Sequence, residues 1–268
     1  LVLPPDGWGL PGVPVAKLLQ PSTAGLVAAW TQGTRTLALS GAALVQDAAV
    51  VIQVDGVTNP KSVRAARMVA LETFAADGGV VDRSTDLALR EVTAGQLAGV
   101  KLWSPSVATP NVVSDATLEF QTSGGMEAGG SISVAFRHSE QWSFTVPAPI
   151  VTFISHAGTV AGTAAWNASS HTVNITIVSG SIGPHSNVSL RVASAVPPSA
   201  VQAKSTASLA TADAMGRRVD GSTAIGTSAI YAGSLAVPEW NSTVDHPAVS
   251  SAVSVTFTSP GGLPAGGL

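Results

Sequence analysis

The sequence contains no cysteine. That excludes disulfides, Cys-ligated zinc and thiol catalysis together. Charge is sparse as well: only 11% of the 268 residues are Asp, Glu, Lys or Arg, with 13 basic against 16 acidic and a formal net charge of -3. Such a chain has no basic field for nucleic acid, whose recognition needs clustered Lys and Arg. No run reaches the ~18 uninterrupted apolar residues that a spanning helix requires, so no membrane span is expected. Glu, Lys and Gln, which fill exposed helix faces, are scarce. Ala, Val, Ser, Thr and Gly dominate instead. This composition predicts an all-β chain whose solvent faces carry hydroxyls in place of charges. The length suits one large or two ordinary domains, and two are expected. The chain opens at Leu1 with neither Met nor a signal-type segment, as expected of a mature chain or a piece of a longer one.

A surface so poor in charge needs another source of solubility. Asn167-Ala168-Ser169, Asn174-Ile175-Thr176, Asn187-Val188-Ser189 and Asn241-Ser242-Thr243 each match the N-glycosylation acceptor pattern. Around Asn174, Val173, Ile175 and Ile177 alternate with polar residues, which turns Asn174 toward solvent on a strand. Covalent N-linked glycans are therefore expected at all four positions, and with them a secretory route, or its archaeal equivalent, to the extracellular surface. Pro105-Ser106, Thr109-Pro110 and Pro197-Pro198-Ser199 are candidate positions for O-linked sugar.

Self-similarity organises the chain at a spacing of about 136 to 138 residues. Ala28-Ala29-Trp30 returns as Ala164-Ala165-Trp166, Val81-Asp82 as Val219-Asp220, Trp103 as Trp240, and Phe120 as Phe257. Drifts of one residue between blocks are what loop insertions between paired strands produce. The repeated Trp and Phe positions are expected as core anchors. Within each unit, short alternating runs such as Val50 to Val54 and Ile132 to Phe136 are bounded by Gly, Pro and Asn turns. The pattern predicts tandem β-sandwiches: residues 1–114 as a first sandwich lacking its opening strand, 115–248 as a second, and 249–268 as a C-terminal donor strand with a glycine-rich tail. The Ala-rich segments 61–75 and 200–213 are expected as strands, with a short helical turn possible.

The phase of the repeat suggests assembly. Val253 to Thr258 and the glycine-rich run after it repeat Thr117 to Gly130. Leu1, Val2 and Leu3, followed by Trp8, resemble the strand that precedes Trp142. A polymerisation strand carrying Val253, Val255, Phe257, Leu263 and Leu268 is expected to complete the first domain of a neighbouring copy, beside an acceptor strand formed by Leu1, Val2 and Leu3. A head-to-tail contact of this kind generates a filament unless its rotation closes. A longer covalent array of repeats would account for the same phase.

The strings Asp55 to Pro60, Gly79 to Asp82, and Thr117 to Phe120 with Ala128-Gly129-Gly130 and Ile132 to Phe136 resemble extracellular immunoglobulin-like β-sandwich repeats of microbial surface proteins, of protist, algal or surface-layer type. The second half departs at the first string, where Ser194 to Pro198 replaces it. The resemblance implies two tandem immunoglobulin-like domains in heavily glycosylated fibres, coats or flagellar hairs, and it implies no catalytic residues.

The residues offer little chemistry. His138, His156, His171, His185 and His246 show no metal-ligand spacing, and no nucleophile elbow, phosphate loop or calcium loop is present. Asp77, Asp82 and Asp86 could gather round a calcium ion, but turns and a solvated face explain them better. Glu72 and Asp82 are read as ion-pairing carboxylates, not glycosidase acids. The expected function is thus non-enzymatic and free of cofactors: a structural subunit of an extracellular glycosylated filament, with copies of itself as partners. The alternative is a surface adhesin or carbohydrate-binding module using Trp8, Trp103 or Trp142 as an exposed platform.

Overall fold

The computed structural model describes residues 1–5, 7–20, 26–41, 43–244, 246 and 250–261. The chain divides into two compact units, Leu1–Ala94 and Gly95–Leu268. The first holds strands β1 (Val15–Gln20), β2 (Val27–Thr31), β3 (Thr36–Ser40), β4 (Val51–Asp55), β5 (Arg67–Phe74) and β6 (Val80–Leu89). The second holds β7 (Ala98–Pro105), β8 (Ser114–Gln121), β9 (Met126–Glu127), β10 (Ser131–Ala135), β11 (Ser143–Phe144), β12 (Val151–Phe153), β13 (Ala161–Asn167) and β14 (Thr172–Ser179). It continues with β15 (Ser181–Ile182), β16 (Asn187–Val196), β17 (Ser205–Ala212), β18 (Arg218–Thr227), β19 (Ala236–Ser242) and β20 (Val253–Thr258). Among the described residues the only helical element is a single 3₁₀ turn, His138–Glu140. The protein is all-β, and the Ala-rich segments 61–75 and 200–213 carry β5 and β17.

In the second unit one sheet runs β11-β16-β8-β7-β18-β17-β10-β14-β13, with β12 also paired to β16. Because β12 lies against β13 as well, the two ends approach and the sheet is nearly closed. Period-two alternation drives this closure. Ala116, Leu118 and Phe120 of β8, Val188, Leu190 and Val192 of β16, and Val173, Ile175 and Ile177 of β14 all point inward and are buried. Each such aliphatic or aromatic side chain contributes roughly 1.5 to 3 kcal/mol on leaving water. Trp103 sits at the centre, edge-on to Phe136 at 5.1 Å and to Trp142 and Phe144 at 6.2 Å.

The division at Ala94/Gly95 corrects the expected boundary after residue 114. That boundary cuts β8 after its first residue and parts β8 from β7, with which it pairs, while β7 also runs parallel to β18. Burial of Trp103 ties β7 to the second core.

In the first unit, β1 pairs with β4, β2 with β3 and β5 with β6, each as a two-stranded sheet. These pairings match those of the second unit, each strand at its own shift of 135 to 138 residues. The β5–β6 ranges become β17–β18 on adding 138 (67 to 205, 80 to 218). Thr73↔Asp82 corresponds to Thr211↔Asp220, and Lys17↔Gln53 to Thr152↔Arg191. Trp30↔Leu37 likewise corresponds to Trp166↔Val173. The turn after β5, where Ala75 N donates to Gly79 O at 2.8 Å, recurs as Asp213 N to Arg217 O at 2.8 Å.

Leu1–Leu3 does not form the open acceptor edge expected of it. Val2 bridges Thr36 of β3 on one side and Ala70 of β5 on the other. Leu3 N donates to Arg35 O at 2.9 Å, just as Phe136 N donates to His171 O at 2.9 Å. Both flanks of this segment are therefore occupied, as β10 is occupied by β14 and β17. The reason is steric and local: Leu3 is buried, and that burial fixes the backbone beside it between two strands.

Candidate functional site

What the second unit encloses, the first leaves open. In the second unit β8 takes the edge of β16, and β7 takes the edge of β18. In the first unit the corresponding strands are β4 and β6, and each is paired on one side only among the described residues. Their apolar side chains are correspondingly uncovered. Val81 is 62% exposed where Val219 is 5%. Val50, Ile52 and Leu87 are exposed where Val188, Leu190 and Ile225 are buried. An edge with unpaired donors and acceptors beside apolar side chains is a template for another strand.

The carboxylate at this edge shows the same contrast. Asp220 is fully buried. Its Oδ2 accepts from Thr211 Oγ1 at 2.6 Å, and its Oδ1 accepts from the backbone N–H groups of Ser123 at 3.1 Å and Gly124 at 3.2 Å, and from the Ser123 hydroxyl. The carboxylate therefore fastens the end of β8 to β18. In the first unit Asp82 Oδ2 accepts from Thr73 Oγ1 at 2.8 Å, and Asp82 N donates back to Thr73 at 3.1 Å. Among the described residues its other oxygen has no donor.

The second feature is the antiparallel hairpin β19–β20, which pairs with no further strand among the described residues. Its register is Trp240↔Val255, Asn241↔Ser254 and Ser242↔Val253. This is the register of β7–β8, Trp103↔Leu118, Ser104↔Thr117 and Pro105↔Ala116, moved by 137 (103 to 240, 118 to 255). Val253, Val255 and Phe257 project on one face of β20, all exposed. Of the expected polymerisation residues, Leu263 and Leu268 lie outside the described residues. Trp240 and Phe257 do not act as core anchors within the chain: Trp240 is 71% exposed, against 0% for Trp103. Sequence reasoning tied assembly to the last strand and missed β19, although the Trp103 and Trp240 match was the signal that pointed to it.

Asn167, Asn174, Asn187 and Asn241 are all exposed. Asn174 lies on β14 opposite Ser133 and Ala165, and the Oδ1 of Asn167 accepts from Ser169 N at 3.0 Å in the turn after β13. Asn241 alternates with Trp240 along β19 and so faces the opposite side of the hairpin.

Other candidate groups do not converge. Trp103 and Trp142 are core residues and Trp8 is half-buried, so the three form no exposed aromatic platform. Glu72 pairs with Arg83, Nε to Oε1 at 2.6 Å. Asp77 caps its own turn at Gly79 N, 2.9 Å away, and Asp86 accepts from Thr85. The rings of His138 and His171 meet edge-on at 4.4 Å. No group of three or more metal-ligating side chains occurs among the described residues. No family model, curated protein or solved structure matches the chain.

Proposed function

We propose that the protein is a structural subunit of an extracellular, N-glycosylated filament that assembles head to tail, the C-terminal strand of one copy completing the first unit of the next. The observation that carries this reading is the pairing of two incomplete surfaces in one chain. One is a β-unit with exposed apolar edges, and the other is a strand, β20, whose apolar face is exposed and which pairs only with β19 among the described residues. A donor and an acceptor at different places on one molecule make a heterologous contact, which propagates. Matching registers at shifts of about 133 to 138 support an origin by tandem duplication of one immunoglobulin-like β-sandwich, and a duplicated module supplies a donor that already fits its acceptor.

The four exposed Asn acceptors support glycan attachment, and hydrated sugar accounts for solubility in a chain with so few charges. The function is mechanical and needs neither catalytic group nor cofactor. A carbohydrate-binding role would draw on Trp8, Trp103 and Trp142, two of which are spent in the core.

Deletion of residues 249–268 tests the proposal. Fibres should disappear while the core containing Trp103 stays folded, read as protected amides in β8, β14 and β16 by hydrogen exchange. Fibres that persist unchanged would overturn strand donation.

A further inference from the structure

We infer that the donated element is the whole hairpin β19–β20, which seats between β4 and β6 of a second copy and joins the two halves of its first unit into one sheet. The inference rests on the head-to-tail reading above and specifies its interface. A single added strand would satisfy the edge of β4 and leave that of β6 bare. The second unit supplies the full template, because there two strands, β8 and β7, lie between β16 and β18. The hairpin has the register of that pair, and β4 and β6 have the positions of those flanking strands.

The template fixes residue partners. Leu118↔Leu190 and Phe120↔Val188 in the β8–β16 pairing become Val255 opposite Ile52 and Phe257 opposite Val50. Glu119↔Ser189 becomes Thr256 opposite Val51, on the outward face. The parallel pairing of Leu102 with Gly226 becomes Glu239 beside Ala88. Trp103 packs on Phe136 and Trp142, whose counterparts in the first unit are Leu3 and Trp8. Trp240 is therefore the anchor that would fill the first core over Leu3 and Trp8. Large aromatics seated in a desolvated centre carry a disproportionate share of association energy. At the end of β20, the Gly261 amide stands where Gly124 donates to Asp220, and so meets the free oxygen of Asp82. Pro260 replaces Ser123 and supplies no N–H there, so this fastening keeps fewer donors than its template.

The occupant is a second copy of this chain. Val255 and Phe257 on the hairpin and Val50, Ile52, Val81 and Leu87 on the acceptor are apolar and exposed, so exclusion of water from matched registers drives the contact. Asn241 lies on the outward face of the hairpin, which leaves room for a glycan after insertion.

The absence of native cysteine makes disulfide trapping free of background. Full chains carrying Thr256→Cys are mixed with chains carrying Val51→Cys, and separately Glu239→Cys with Ala88→Cys, under mild oxidation. Products are read by non-reducing gel and peptide mass spectrometry. Both mixtures are expected to give mixed covalent dimers, while Thr256→Cys with Gln53→Cys, two residues out of register, gives none. Adding Trp240→Ala to the donor should weaken association by roughly 100-fold. Trapping at 256–51 without trapping at 239–88 would overturn the hairpin in favour of one strand, leaving head-to-tail assembly standing. Failure of both pairs in chains that still sediment as polymers would overturn the interface alone. Failure in chains that stay monomeric at every concentration would overturn the assembly reading as well. Disulfides formed only within doubly substituted single chains would show the hairpin folding back, and would exclude the second copy.

Discussion

Trp103 and Trp240 occupy the same position in two hairpins of matching register, yet Trp103 is sealed among Phe136, Trp142 and Phe144 while Trp240 stands in solvent. The difference lies in what each hairpin inserts into. β7–β8 has β16 and β18 on its flanks, whereas β19–β20 has no further strand on either side among the described residues.

That contrast sets the first prediction. Trp103→Ala should destabilise the second unit by about 3 to 5 kcal/mol, through lost transfer energy and the cavity left in a packed core. Trp240→Ala should change the stability of the unassembled chain by less than ~0.5 kcal/mol, as for an ordinary surface position. Denaturant titration of dilute protein, followed by amide exchange in each unit, separates the two. Equal losses would mean that Trp240 is already packed.

Asp220 and Asp82 should differ in the same sense. Asp220→Ala removes the acceptor for the half-buried amides of Ser123 and Gly124 and for the buried Thr211 hydroxyl, which alone is left unsatisfied at roughly 1 to 3 kcal/mol. Asp82→Ala should leave the dilute chain nearly unchanged and weaken polymerisation. Its effect on the midpoint of assembly against concentration, beside its melting curve, checks the claim.

At the β1–β4 edge, the side-chain hydrogen bond from Gln53 Nε2 to Asp55 Oδ1 at 2.7 Å holds the Asp55 carboxyl below its ordinary pKa, aided by the Lys17 ammonium at 3.5 Å and opposed by slight desolvation. A carboxyl with a depressed folded pKa stabilises the fold above its unfolded value of ~3.9, and that contribution is lost as pH falls through the lower folded value. Carbon-detected NMR titration should show Asp55 titrating below ordinary aspartates. Gln53→Ala should move its midpoint upward, and no movement would show the hydrogen bond to be irrelevant.

Expression through a secretory host should add glycan at Asn167, Asn174, Asn187 and Asn241, since all four are exposed. Intact mass should fall by one glycan for each Asn→Gln change and reach the 26.8 kDa polypeptide after enzymatic deglycosylation. Deglycosylated chains should precipitate at lower concentration. An unmodified mass from such a host would remove the glycoprotein reading.

Much of this arrangement was legible in the sequence, because strand alternation and turn residues are local signals. Val173, Ile175 and Ile177 alternate plainly, and the recurrence of Ala-Ala-Trp and Val-Asp announced matching strands. The unit boundary was not legible. The contact of Trp103 with residues 33 to 41 positions later and the parallel pairing of β7 with β18 place β7 in the second core, and periodicity carries no information about such partners. The role of Leu1–Leu3 was misread for a related reason: a short apolar strand looks the same whether its flanks are open or filled. The open edges were hidden too, since Val81 and Val219 are identical in sequence and differ only in what lies over them.

Electron microscopy of the secreted full chain, with and without a molar excess of a synthetic peptide covering residues 233–261, tests head-to-tail assembly most directly. The account predicts filaments that shorten progressively as the peptide occupies the acceptor between β4 and β6. Filaments of unchanged length at saturating peptide, or monomers alone at every concentration of the untreated chain, would contradict it.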